Sequence, residues 1–265
     1  MKNYIIKFKN KPSIAGYSAV GGTYEKEGPL GGEFDYIFDD PTAGEECWEQ
    51  AESKLQKTAL GIALKKSGNN PTELDVIFAG DLLNQCVGST FGIMEYNIPF
   101  AGVYGACSTM ALSLIMASAF VDGGFASDAA AVTSSHFCSA ERQVRFPLEY
   151  AGQRPPTSQR TVCASGAVIV SNRCGKIYAK SALLGKTVDY GVADANNMGA
   201  AMAPDDVKIR PYPRHEGMVF FYTQIQYLRG FRALFKDFLM QKIVEKSVNE
   251  IYAQSRNYYK KEEEF

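Results

Sequence analysis

The 265-residue chain lacks an excess of either charge: 28 Lys and Arg against 29 Asp and Glu leave a formal net charge of −1. Nothing in that balance selects nucleic acid or an anionic membrane surface, which call for a strongly basic face. It lacks any Cys-x-x-Cys among its six cysteines, Cys47, Cys86, Cys107, Cys138, Cys163 and Cys174. Paired-thiolate zinc is therefore not expected, and no metal or cofactor is. The N-terminus lacks the ~7–15-residue apolar core of a signal peptide. Instead Met1-Lys2-Asn3-Tyr4-Ile5-Ile6-Lys7-Phe8-Lys9 alternates apolar and charged residues, as a strand does. A chain that is not exported keeps its thiols reduced, so the cysteines are expected to be free.

A long uninterrupted apolar span is missing too. The 26 charge-free residues between Glu95 and Asp122 are enough in number to cross a bilayer. They contain Pro99, Gly102, Gly105, Ser108, Thr109, Ser113 and Ser118, and break into two pieces. The second, 110–121, has ten apolar residues in twelve. As a helix it rises only ~18 Å, against a hydrocarbon core of ~30 Å. A short helix apolar on all sides is the buried central helix of a soluble α/β protein.

What is present fits that class. The chain is 46% hydrophobic and 22% charged, enough to build a core. Strand-like runs fall at 75–83, 99–104, 129–134, 166–171 and 176–182. Between them, 45–66 carries Trp48, Ala51, Leu55, Ala59 and Ile62 at helical spacing and stops at Ser67-Gly68-Asn69-Asn70-Pro71. Strands alternating with helices predict a layered α/β domain with a largely parallel sheet.

The last 61 residues, 205–265, are composed differently: they hold two glycines, against 22 in the 204 residues before them. They hold 12 aromatics against 20, and a charge of +2 against −3. Leu228, Phe231, Phe235, Phe238, Leu239, Val244, Val248 and Ile251 fall near helical spacing. The expected division is therefore 1–204 as one unit and 205–265 as a divergent helical tail that packs poorly, with a charged end from Tyr258 that frays.

The sharpest chemical feature is Gly105-Ala106-Cys107-Ser108-Thr109, between a strand and the apolar helix. A thiol at a helix start faces unpaired backbone N–H groups and the positive end of the helix dipole, which favour the thiolate. Small neighbours let backbone amides approach an oxygen, as an oxyanion hole requires. The same placement suits an inert core cysteine, and the sequence leaves both open. His136, after Thr133-Ser134-Ser135, stands at a strand end, where α/β proteins place ligand-facing residues. It is equally a satisfied strand-end histidine. His215 lacks the second histidine a metalloprotease helix would need. Arg142, Arg145 and Arg154 form either a solvated basic face or, turned inward, forks for a carboxylate ligand. Asp81 and Asn84, in Gly80-Asp81-Leu82-Leu83-Asn84-Gln85, line the same pocket or cap a turn.

In these residues the chain resembles the stage V sporulation protein AD family of the thiolase-like superfamily. The matching stretches are Glu27-Gly28-Pro29-Leu30-Gly31, Phe78-Ala79-Gly80-Asp81-Leu82-Leu83-Asn84-Gln85 and Tyr104-Gly105-Ala106-Cys107-Ser108-Thr109. Asp122-Gly123-Gly124-Phe125-Ala126, Thr133-Ser134-Ser135-His136, Ala140-Glu141-Arg142-Gln143 and Met198-Gly199-Ala200-Ala201-Met202-Ala203-Pro204 continue the match in the family's order. After Pro204 it ceases.

The resemblance implies a thiolase-like α/β fold of two βαβαβαββ halves, usually paired as homodimers. This chain carries the N-terminal half, with a mixed, mainly parallel sheet. It implies a spore-formation protein that binds dipicolinic acid, pyridine-2,6-dicarboxylate, free or as its calcium chelate. That protein assists uptake into the developing spore with membrane proteins of the same operon, from the cytoplasm or the periphery of the spore inner membrane. Cys107 takes the nucleophile's place, and Cys107, His136, Arg142, Arg145, Asp81 and Asn84 are the expected ligand-pocket residues. The expectation leans away from an enzyme. The alternatives are a thiolase or condensing-type acyltransferase using Cys107, or an inactive truncated product. A frameshift or a lineage-specific tail would equally explain the change in composition after Pro204.

Overall fold

The computed structural model describes residues 5–105, 108–144, 161–184 and 218–222. Among them are nine strands: β1 (Ile5–Lys7), β2 (Ser13–Gly21), β3 (Tyr36–Ile37), β4 (Val76–Gly80), β5 (Phe100–Gly102), β6 (Asp128–Ser135), β7 (Ala164–Ser171), β8 (Ala179–Leu184) and β9 (Met218–Tyr222). The helices are α1 (Thr23–Lys26), α2 (Trp48–Ser67), α3 (Val87–Ile93), α4 (Thr109–Asp122) and α5 (Phe137–Val144).

Six strands form the main sheet in the order β3-β2-β7-β6-β4-β5. β4 runs parallel to both β5 and β6, and β2 parallel to β3. β7 is antiparallel to both its neighbours, so it alone is reversed. Along the chain, β2-α2-β4-α3-β5-α4-β6-β7 gives the expected βαβαβαββ series. A second sheet has the order β1-β8-β9.

Two helices sandwich the main sheet. α2 buries Ala51, Leu55, Ala59, Leu60, Ala63 and Leu64, spaced three and four apart, against Val20, Ile77, Ala130, Val132 and Ile169. It ends on Gly68 in the left-handed conformation (φ 74°), with Lys65 and Lys66 at the negative end of the helix dipole. α4 packs on the opposite face, Met110, Leu114, Ile115 and Val121 meeting Phe78, Ala129, Ala131, Val168 and Val170. Consecutive strand residues thus go to opposite layers: Ala129 and Ala131 to α4, Ala130 and Val132 to α2. The charge-free stretch before Asp122 resolves into β5 and the 14-residue α4. Among the described residues no helix is long and apolar enough to cross a membrane.

Two differences from the sequence reading stand out. β2, central to the sheet, was not among the expected strands, because Ser13, Gly16 and Ser18 interrupt its apolar pattern. Those small residues let α2 sit close: a Cβ at Gly16 would lie 2.6 Å from the Ala63 carbonyl oxygen, and Ser18 Oγ donates to the Ala59 carbonyl at 2.6 Å. The described piece of the tail, β9, is a strand rather than a helix. Its Met-Val-Phe-Phe-Tyr run is β-branched and aromatic, and it pairs in parallel with β8. The helical run expected at 228–251, the junction at Pro204 and His215 lie outside the described residues.

Candidate functional site

The parallel strands β4, β5 and β6 end side by side. The chain leaving β4 and β6 goes into α3 and α5, both packed toward α2, whereas the chain leaving β5 goes into α4 on the other face. Adjacent strands whose connections depart to opposite faces open a crevice at their carboxyl ends. Here it lies between the loop after Gly80 and the turn after Val103.

Gly80 permits the two to close. A Cβ there would lie 1.9 Å from the Val103 carbonyl oxygen and 2.6 Å from Thr109 Cγ2. The turn into α4 is tied by the Gly105 carbonyl, which accepts from Ser108 N at 2.9 Å and Ser108 Oγ at 2.7 Å. The Gly105 N–H donates to Thr109 Oγ1 at 3.1 Å. Ser108 and Thr109 therefore open the apolar helix as the sequence predicts. Cys107 itself lies outside the described residues.

Asp81 is buried and staples the loop after β4. Its Oδ1 accepts from Leu83 N at 2.8 Å, and its Oδ2 from Ser89 N at 2.7 Å and Ser89 Oγ at 2.5 Å. Between these anchors Gln85 (φ 61°) and Cys86 (φ 52°) both take the left-handed conformation. That conformation costs non-glycine residues about 1–2 kcal/mol each, so it persists only where the surroundings dictate it. Cys86 spans the crevice, its Sγ 3.7 Å from the Val103 carbonyl oxygen. Burial, then the Asp81 charge, pushes its thiol up.

His136 is buried on the α2 side. Its Nε2 lies 2.8 Å from the Pro41 carbonyl oxygen and its Nδ1 accepts from Cys138 N at 3.3 Å. With Nδ1 accepting from Cys138 N, Nε2 is placed to donate to the Pro41 carbonyl, so both nitrogens have partners in the chain. Trp48 and Phe137 stack on it with centroids at 5.4 and 5.3 Å. The cavity beside it, lined by Tyr24, Phe38, Asp40, His136, Phe137 and Cys163, measures about 10 Å³, the space of one water. Burial pushes the Cys163 thiol there up to about 12, which disfavours its thiolate.

Of the expected pocket residues, Asp81 and His136 are brought to one side of the sheet, the α2 side, both in internal hydrogen bonds. Neither faces the layer occupied by α4. Arg145 and Arg154 lie outside the described residues, as do the side chains of Asn84 and Arg142. Sequence reasoning missed a polar cluster linking Asp81 to the His136 backbone: the buried Glu52 and Gln56 from α2, Ser89 from α3 and Ser139 from α5, with the half-buried Ser134 from β6. Its signal was available, because Glu52 and Gln56, four apart, fall within the apolar stripe of Ala51, Leu55 and Ala59. Among the described residues no three His, Cys, Asp or Glu side chains gather as a metal site needs.

A βαβαβαββ half with one reversed strand, opening its third crossover helix at Ser108 and Thr109 beside a glycine-floored crevice, is a thiolase-like half. More narrowly, the chain belongs to the stage V sporulation protein AD family, whose model matches residues 2–211. It is 44% identical over 197 residues to stage V sporulation protein AD of Bacillus subtilis (strain 168), which takes in 74% of this chain and 58% of that protein. The chain thus spans a little over half the length of that relative. Among solved structures it is similar to 3-oxoacyl-[acyl-carrier-protein] synthase III from Aquifex aeolicus VF5, with TM-score 0.43 and 16% identity, covering 60% of this chain and 53% of that one. The synthase III, FabH, of Pseudomonas aeruginosa PAO1 gives TM-score 0.43 and 14% identity over 75% of this chain and 69% of that one.

Proposed function

We propose that this protein, a member of a sporulation family, binds dipicolinic acid and assists its uptake into the developing spore, rather than catalysing acyl transfer. The observation that carries the preference is the state of His136. Nucleophilic catalysis by Cys107 needs a base within hydrogen-bond reach and a proton shuttle, worth about 10²–10⁴-fold. His136 is the candidate base among the described residues, and both its nitrogens have partners in the chain on the α2 side. Binding makes a different demand. Two carboxylates must be repaid for their lost hydration by several donors. The crevice offers the backbone of the loop after Gly80 and the start of α4, where the positive end of the helix dipole favours an anion. Arg142 and Arg145 are the cations proposed to complete it. The remaining donors are proposed to come from the second half that the longer relative possesses.

The proposed partners are dipicolinate, free or as its calcium chelate, membrane proteins of the same operon at the spore inner membrane, and a second copy of the chain. Supporting the last, β5 is an edge strand of the main sheet, and Phe91, Met94, Phe100 and Tyr104 near it are exposed.

The acyltransferase reading retains one favourable observation, the turn that delivers the chain into α4 at Ser108. Incubation with a radiolabelled acetyl-CoA, followed by mass spectrometry of the peptide carrying Cys107, separates the two. No adduct is expected, even if a small alkylating reagent modifies Cys107 quickly. A stoichiometric adduct that disappears in Cys107→Ser would establish the enzyme reading instead.

A further inference from the structure

Glu52 is a fully buried carboxyl group with no cation beside it among the described residues. The titratable groups acting on it or near it are Asp81 after β4, Glu49 one turn earlier on α2, Cys163 ahead of β7 and His136 between β6 and α5. What surrounds it directly is hydroxyl and amide. Ser134 Oγ donates to Glu52 Oε1 at 2.9 Å and Ser139 Oγ to Oε2 at 2.7 Å. Gln56 Nε2, with two hydrogens, has three acceptors in range: Ser134 Oγ and Ser89 Oγ at 2.9 Å and the Gly80 carbonyl at 3.2 Å. Ser139 Oγ, with one hydrogen, also faces the His136 carbonyl at 3.2 Å. Gln56 Oε1 is buried without a partner.

The cluster is therefore short of donors. A proton on Glu52 supplies one. The Glu52 hydroxyl then donates to Ser139 Oγ, and the Ser139 hydrogen turns to the His136 carbonyl oxygen. One more hydrogen bond forms, and the like charge of Asp81 no longer faces a second carboxylate. We propose that a protonated Glu52 is the clasp that fixes α5 and the His136 segment to α2, and that release of its proton to solvent loosens this end of the sheet. The device lies beneath the loop after Gly80 and does not depend on what the crevice binds.

The energetics agree with the geometry. Burial raises the Glu52 carboxyl from 4.5 to about 7, Asp81 and Glu49 adding to the rise while the Ser139 and Ser134 hydrogen bonds oppose it. A carboxyl raised on folding binds its proton more tightly in the native state than in the unfolded one. The stability it confers is complete below the ordinary glutamate range and is lost as pH climbs to about 7. Over that window the unfolding equilibrium constant attributable to Glu52 rises by roughly two orders of magnitude.

Trp48, the single tryptophan, is stacked on His136 and reports on this joint. Its fluorescence, titrated through neutral pH on the intact chain, is expected to show a transition centred near 7 that is absent in Glu52→Gln. An infrared spectrum of the unsubstituted protein is expected to carry the carbonyl stretch of a protonated carboxylic acid at mildly acidic pH and to lose it over the same range. Persistence of the fluorescence transition in Glu52→Gln overturns the proposal. So does absence of the protonated-acid band, which decides the matter without any variant should Glu52→Gln fail to fold.

Discussion

Gly80→Ala is expected to cost at least about 3 kcal/mol of stability, more than a single methyl group costs at most sites. The new Cβ would be 1.9 Å from the Val103 carbonyl oxygen and 2.6 Å from Thr109 Cγ2. The first of these is backbone and cannot swing aside. Relief requires moving either β4 or the turn into α4, and β4 is held by β5 and β6 on both sides. The turn must yield, carrying the start of α4 away from the crevice. Urea unfolding should show a lower midpoint at an unchanged slope. A variant within about 1 kcal/mol of the parent would mean that the crevice floor is not closed as described.

Asp81→Ala is expected to be about as damaging, at roughly 3–5 kcal/mol, for an unrelated reason. Truncation leaves the Leu83 and Ser89 N–H groups and the Ser89 hydroxyl inside the protein without their acceptor. Each orphaned buried donor costs about 1–3 kcal/mol. The anchors that hold Gln85 and Cys86 in the left-handed conformation go with it, so the loop should relax and α3 lose its first turn. Hydrogen exchange would then accelerate at Ser89 and its neighbours while Leu114 and Ile115 in α4 stay protected. Uniform acceleration across both helices would show that Asp81 acts on the whole fold rather than on this loop.

Much of this architecture was legible in the sequence. The period of 3.6 gave α2, and an all-apolar run too short for a bilayer gave α4. Gly105 to Thr109 marked the turn between β5 and that helix. β2 was not legible because its core-facing positions are small or polar, and what makes them suitable is the close approach of α2, a tertiary fact. Asp81 and His136 were rightly placed at strand ends. Their direction was not, because a strand's alternation says that residues 77, 79 and 81 share a face but not which helix covers it. Only the layer assignment of Ile77 and Val132 to α2 settles that both side chains point away from α4. Glu52 and Gln56 could have been suspected as polar breaks in an apolar stripe. Their partners, Ser134 and Ser139, come from about eighty residues further along the chain, and no local pattern joins them.

Binding of a dicarboxylate in the crevice through both halves of the fold, with no acyl transfer, is the proposal on which the function rests. Calorimetric titration of dipicolinate tests it most directly, on this chain alone and on the same residues joined to the second half of the Bacillus subtilis relative. Weak or undetectable heat is predicted for the chain alone. Saturable binding, weakened by Cys107→Ala, is predicted for the joined protein. Tight binding by the chain alone, at about micromolar dissociation constant (near −8 kcal/mol), would contradict the need for the second half. No binding by a folded joined protein would contradict the proposed function itself.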